Sequence, residues 1–193
     1  MKTIPPIEMI LPSLRQGVPI DEVKQIAKQL SMSSDWIESL IAFISEPGTI
    51  SRTQLRKSAW ILNHAFQIDE RLFFAQRDQL NHLLDVIEDF SALRELLKML
   101  AHPVWLDYEN DKQRIELLEL SSAMLHLEGI PVAIYYACMQ IMQSRSLTSS
   151  ECKECIASLQ SLRQRSEINS PLYRCIHRYE IRFRQKLTRS VKS

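Results

Sequence analysis

Arg56, Arg94, Ile134 and Arg174 stand 38, 40 and 40 residues apart, and each falls early in a segment whose apolar residues recur at helical intervals. Pro131 and Pro171 keep the same 40-residue step, each at the opening of such a segment. A fixed period near 40 with two helices in each period is a strong constraint. One helix pair cannot bury both of its apolar faces, so neighbouring pairs must stack to do it. The spacing predicts four pairs, 34–45 with 51–66, 77–89 with 91–101, 112–127 with 131–143, and 149–163 with 171–187, with 20–30 as an N-terminal cap helix. The expected fold is all-α, a right-handed α-α superhelix of about four helix pairs plus that cap. It would occupy residues 20–187 as one domain, with an extension at 1–19 and a flexible basic tail at 188–193.

The segment from Ser51 to Gln67 shows the pattern best. Ser51 and Gln54 have the spacing of a capping box, in which the hydroxyl accepts from the third helical N–H and the glutamine reaches back to the cap. Leu55, Ser58, Ala59, Leu62, Ala65 and Phe66 then define one apolar face. A second stripe carries Arg56, Trp60, Asn63 and His64. Elsewhere Ser33 or Ser34 can cap the helix at 35–45, whose apolar face is Trp36, Ile37, Leu40, Ile41 and Ile44, and Glu46-Pro47-Gly48 stops it. Ser91 opens the next helix but one, after a short turn through Leu72 and Phe74 and a helix over 77–89. Val104 to Asp111 is the longest connector. The helix over 112–127 has Ile115, Leu118, Ala123 and Leu127 as its apolar residues, with Gly129 as its stop. Pro131 suits a first helical turn, Thr148 with Glu151 forms a further capping box, and Ser170-Pro171 supplies a cap and first-turn proline for the last helix. Before residue 20, four prolines and Gly17 leave room for at most a short helix around 7–15.

Three glycines in 193 residues are few for a turn-rich β fold. The longest nearly apolar run, Ile130 to Met142, is too short to span a bilayer and reads as a buried helix. The amino terminus has no clean apolar signal region, so a cytoplasmic location is expected. Cys138, Cys152, Cys155 and Cys175 are then expected as reduced thiols. Net charge is only +1, but it is unevenly spread. Residues 66–130 hold 6 basic against 13 acidic side chains, and residues 163–193 hold 9 against 2. An acidic middle and a basic end constrain partners more than the total does.

The unit WIESLIAFIS-EPGTIS-RTQLRKSAWIL has an apolar first helix, a short polar turn and an arginine leading a second helix rich in small residues. In this it resembles HEAT-like, or armadillo-like, repeat proteins. The helices Arg56-Lys57-Ser58-Ala59-Trp60-Ile61-Leu62 and Pro131-Val132-Ala133-Ile134 also resemble, in order and spacing, an uncharacterised bacterial HEAT-like family over roughly 20–187. The resemblance implies an α-solenoid and carries no assigned chemistry.

Three constellations are candidates for a site. Arg56, Trp60 and His64, at i, i+4 and i+8, form either a cation–π platform or a seam plug (Trp60) with Arg56 paired to an acidic turn. Arg174, Arg178 and Arg182 form a basic stripe, continued by Arg184, Lys186, Arg189 and Lys192 and interleaved with Tyr173, Tyr179 and Phe183. It reads as a solvated cap, a contact for an acidic protein, or a phosphate-binding surface. Cys152 and Cys155, with Cys175 and His177, have the composition of a zinc set. They sit inside helices, however, and the reading taken is buried neutral cysteines, with no metal and no cofactor. Trp105 and Tyr108 either anchor their connector or edge a binding surface. No phosphate loop, H-E-x-x-H or G-x-S-x-G is present, and the loop signature of helical lyases is missing.

The expected function is therefore a non-catalytic scaffold or protein–protein interaction module whose partner is another protein or a second copy, without membrane contact. The alternative is a nucleic-acid-binding HEAT-like protein related to alkylation-repair DNA glycosylases. The acidic stretch 66–130 counts against that alternative.

Overall fold

The structure, a computed structural model, describes residue 14 and residues 19–46, 50–165 and 169–190, the last two of these without their side chains. The Glu46-Pro47-Gly48 stop falls mostly outside the described residues, as do Arg189 beyond its backbone, Lys192, and all of the extension at 1–19 except Leu14 and Pro19. The described residues contain α and 3-10 helices and no strand. The chain divides into two compact units, 1–99 and 100–193.

The first unit holds α1 (Ile20–Leu30), α2 (Ser34–Ser45), α3 (Arg52–Ile68), a 3-10 segment (Glu70–Gln76), α4 (Arg77–Val86) and most of α5 (Phe90–Leu100). Val23, Ile26, Ala27 and Leu30 on α1 and Ile37, Leu40, Ile41 and Ile44 on α2 are buried, so both helices present a single apolar stripe inward. Trp36, expected on that stripe, is only half-buried. Helix α3 packs on both α1 and α2, and α2 packs on α4. The predicted capping box at its start is formed: Ser51 Oγ accepts from Gln54 N at 3.3 Å and Gln54 Oε1 accepts from Ser51 N at 2.9 Å. Leu14 is fully buried, and Lys57 Nζ donates to its carbonyl at 3.1 Å.

Two expectations shift here. The helix expected over 77–89 ends at Val86, and Asp89, expected as its last residue, instead caps α5. Its Oδ1 accepts from the N–H groups of Ser91 and Ala92 at 3.0 and 3.1 Å, and Ser91, expected to open the helix, lies just inside it. An aspartate three residues before a helical N–H satisfies an orphan donor as well as a serine does, and its charge suits the helix N-terminus. The turn through Leu72 and Phe74 is a 3-10 segment, anchored by Phe73, whose ring meets Phe66 edge-on at 5.4 Å.

The second unit holds a 3-10 segment (Pro103–Asp107), α6 (Asp111–His126), α7 (Val132–Ser144), α8 (Ser149–Arg163) and α9 (Ser170–Ser190). Helix α6 packs on α7 and α8, and α9 packs on α8 and α7. The helices expected to come first in their pairs, α6 and α8, thus meet each other, and so do those expected to come second, α7 and α9. Thr148 and Glu151 form the predicted capping box. Three details differ. Asn110 and Gln113 make a capping box at the start of α6 that serine and threonine signals alone did not reveal. Asn169, not Ser170, caps α9, accepting from Leu172 N at 2.9 Å. Pro131 occupies the cap position of α7 rather than its first turn.

The larger correction concerns which face of α6 is inside. Its buried residues are Gln113, Leu117, Leu118, Ser121, Met124 and Leu125, whereas Ile115, Ala123 and Leu127 are exposed. The helix carries two stripes at helical spacing, and the one holding Leu117, Met124 and Leu125 buries more apolar surface. Of the first stripe, Leu118 alone is inside. In the connector, Trp105 is fully buried beneath the 3-10 segment, and Tyr108 is exposed.

Candidate functional site

The polar stripe of α3 opens onto a surface pocket of about 250 Å³ lined by Arg56, Lys57, Trp60, Ser91, Arg94 and Glu95. Arg56 on α3 and Arg94 on α5, 38 residues apart in the sequence, line the same pocket. Trp60 is half-buried, and its ring lies 5.7 Å from that of His64, tilted by 50°. His64 does not line the pocket, so the structure brings together two of the three residues of the i, i+4, i+8 set.

Two buried carboxylates hold the pocket's guanidinium groups. Arg56 Nε donates to both oxygens of Asp89 at 3.0 Å, and its Nη2 donates to Oδ2 at 2.8 Å. This is the acidic turn that the second reading of the stripe anticipated. The Asp89 carboxyl is held below its ordinary 3.8, chiefly by the hydrogen bond from Arg56, against the opposing effect of burial. Glu95 accepts from Arg94 Nε and Nη2 at 2.9 and 2.7 Å, from Lys98 Nζ at 3.1 and 3.2 Å, and from Asn63 Nδ2 at 2.6 Å. Burial pushes its pKa up, and the donors of Arg94, Lys98 and Asn63 together bring it below 4.5. Asn63, read from the sequence as part of the polar stripe, is buried and serves this carboxylate.

Arg174, Arg178 and Arg182 are all exposed on α9. Arg182 Nη1 donates to Gln143 Oε1 at 2.7 Å, and its guanidinium lies 5.6 Å from the centre of the Tyr179 ring. Arg174 and Arg178 make no hydrogen bond or ion pair among the described residues. The aromatic residues interleaved with them are not a stacking platform. Tyr179 is buried and Phe183 fully so, because both belong to the inward stripe with Leu172 and Ile176. Tyr173 remains exposed, with Arg163 placed 6.0 Å from its centroid. Arg184 pairs with Glu180 at 2.8 Å, and Lys186 Nζ donates to the carbonyls of Gln143 and Arg145 at 2.7 and 3.1 Å.

Cys138, Cys152 and Cys155 are buried, Cys175 is half-buried and His177 is exposed. Burial pushes the Cys138 and Cys155 thiols up to about 12. Among the described residues, no three His, Cys, Asp or Glu side chains gather as metal ligands.

A second pocket of about 310 Å³ lies between α6 and α8, with Ile115, Leu118, Ala123 and Met142 as its apolar wall and Glu119, Glu151 and Glu154 on its polar side. The exposed stripe of α6 faces into it. No helix among the described residues is long and apolar enough to cross a membrane.

Lys57, Ser91, Arg94 and Glu95 were not singled out as site residues. The signal for Arg94 was present, since it stands one period after Arg56. Glu95 carried no signal, because an acidic residue between Arg94 and Leu96 reads as solvated. Comparison with known proteins yields no match: no family model, no curated protein and no solved structure is similar to the chain.

Proposed function

We propose that the protein is a non-catalytic helical-repeat scaffold of the HEAT-like kind, whose helix pairs stack as a right-handed superhelix and whose second helices bind another protein. The observation that carries this reading is the pocket in which Arg56 and Arg94, one period apart, stand beside Trp60. Equivalent positions of successive repeats lying side by side on one surface is what stacking of pairs produces. The meeting of α6 with α8 and of α7 with α9 supports the same arrangement. A half-buried aromatic ring next to arginines is also the composition favoured at the centre of protein interfaces. The buried, high-pKa thiols suit a structural role in a reducing cytoplasm and offer no ready nucleophile. Crosslinking in cells followed by identification of captured chains tests the reading. A reproducible protein partner, or a second copy, is expected; turnover of a small molecule without any protein partner would sink it.

Nucleic-acid binding is the second reading, favoured by the exposed Arg174 and Arg178. Phosphate contacts are strongest at low salt. A gel shift at low salt that weakens on replacing these two arginines would support it, and no shift removes it.

A further inference from the structure

We infer that the pocket lined by Arg56, Lys57, Trp60, Ser91, Arg94 and Glu95 binds an oxyanion, a phosphate or a side-chain carboxylate, carried on an extended segment of a partner protein. The inference rests on the interaction-module reading and names the chemistry its partner must present.

Three cations line the pocket, Arg56, Lys57 and Arg94, beside one carboxylate, Glu95; Asp89 pairs with Arg56 and Lys98 with Glu95 from outside the lining. The carboxylates lie beneath, each with only 6% of its side chain exposed, whereas the side chains of Arg56, Arg94 and Lys98 are 53%, 44% and 48% exposed. Every oxygen of Asp89 and Glu95 already accepts at least one hydrogen bond, so the acceptors of the site are used up. Its donors are not. Among the described residues, Nη1 of Arg56, Nη1 of Arg94, the indole N–H of Trp60 and the hydroxyl of Ser91 have no acceptor. A pocket with a surplus of donors and positive charge, and saturated acceptors, suits an acceptor-only anion.

Preorganisation adds to this. Each guanidinium is held by two of its nitrogens against a fixed carboxylate, which leaves the third nitrogen oriented before any ligand arrives. Each also loses little rotamer freedom on binding. The half-exposed ring of Trp60 supplies an apolar wall for the residue next to the anion. A volume of about 250 Å³ holds one charged side chain and part of a neighbour, not a chain of phosphates. The exposed acids of adjoining α4 and its following turn, Asp78, Asp85 and Glu88, repel a polyanion that extends past the pocket. A protein segment with a single anionic side chain avoids that repulsion, which favours peptide over nucleic acid.

The test is a titration followed in a proton–nitrogen correlation spectrum, reading the indole N–H of Trp60 and the Nε–H of Arg56 and Arg94. The added ligands are capped pentapeptides with phosphoserine, glutamate or glutamine at the centre between leucines, then inorganic phosphate, then a short oligothymidylate, all at one ionic strength. The phosphoserine or glutamate peptide is expected to shift the Trp60 and arginine signals to saturation, with the glutamine peptide silent. Arg94→Gln is expected to weaken binding about tenfold or more, the loss typical of a hydrogen bond to a charged group. Trp60→Phe keeps the ring, removes one donor and should weaken it less, and its unchanged fold would be checked by circular dichroism. Saturation by inorganic phosphate alone, or by the oligothymidylate more tightly than by either peptide, overturns the proposal. So does an unchanged spectrum with all five. The titration needs no cellular partner, so its success alongside an empty crosslinking survey would sink the scaffold reading while leaving the oxyanion site in place.

Discussion

Single residues carry several of the strongest commitments in this molecule. Arg145 and Glu109 form an ion pair at 2.5 Å with 0% and 3% of their side chains exposed, and Arg145 Nη2 also donates to the carbonyl of Leu100. Removing one partner leaves the other charged and buried, which costs about 3–5 kcal/mol. Urea denaturation should therefore show Arg145→Met destabilised by about that much, and the double variant Arg145→Met with Glu109→Leu recovering most of it. A loss below about 1 kcal/mol in the single variant would mean that the pair is not sealed from water. The cysteines give a second prediction. With the Cys138 and Cys155 thiols pushed up to about 12 and Cys152 fully buried, an aromatic disulfide reagent at pH 8 should label at most Cys175 in the native protein and all four in denaturant. Fast labelling of two or more in the native state would contradict the burial. Buried neutral cysteines were legible in the chain, and Cys138, Cys152 and Cys155 are buried; the role of Arg145 was not. Arg145 is one arginine in a polar loop, and only the fold reveals that Glu109, 36 residues earlier, lies against it.

At the scale of elements, the sequence reading went furthest where local chemistry decides the structure. The capping boxes at Ser51 and Thr148 were legible because hydroxyl and partner lie three residues apart. Asn110→Ala and Thr148→Ala should each cost about 1 kcal/mol, measured by thermal or chemical denaturation. Each variant removes the side-chain acceptor of its box and leaves the cap's own backbone N–H bonded to Gln113 or Glu151, and an unchanged stability would mean that the lost acceptor is replaced by water without loss. The reading failed where a nonlocal choice decides. Asp89 reads as the tail of an acidic helix end, yet it caps the following helix because Arg56, 33 residues away, holds its carboxylate in place. On α6 two apolar stripes compete, and only packing against α7 and α8 selects Leu117, Met124 and Leu125. The pocket was half legible for the same reason. Arg56 and Trp60 stood out on one helix, and Arg94 joined them through the period, but Ser91 and Glu95 required the juxtaposition of α3 with α5.

For the whole molecule, three buried carboxylates set the acid limit of stability. Asp89, Glu95 and Glu180 are each held below their ordinary values by arginine, lysine or amide donors, with burial working the other way at all three. The unfolded chain thus takes up protons at these groups at higher pH than the folded protein does. Their contribution is complete above the ordinary carboxylate range and is lost as pH falls below about 5 and through the folded values. Melting temperature should be flat near neutrality and fall on acidification, and Glu95→Gln should make that fall shallower. A melting temperature unchanged from neutral pH down to about 3 would contradict the depressed carboxyls. Charge is unevenly placed along the chain as well, with an acidic middle in the sequence and exposed arginines on α9. The central claim, that this is a scaffold whose second helices bind protein, is tested most directly by quantitative affinity capture from its own cells with wild type and Arg94→Gln side by side. The account predicts a discrete set of proteins retained by wild type and depleted about tenfold in the variant. Equal recovery with both, or recovery of nucleic acid alone, would contradict it.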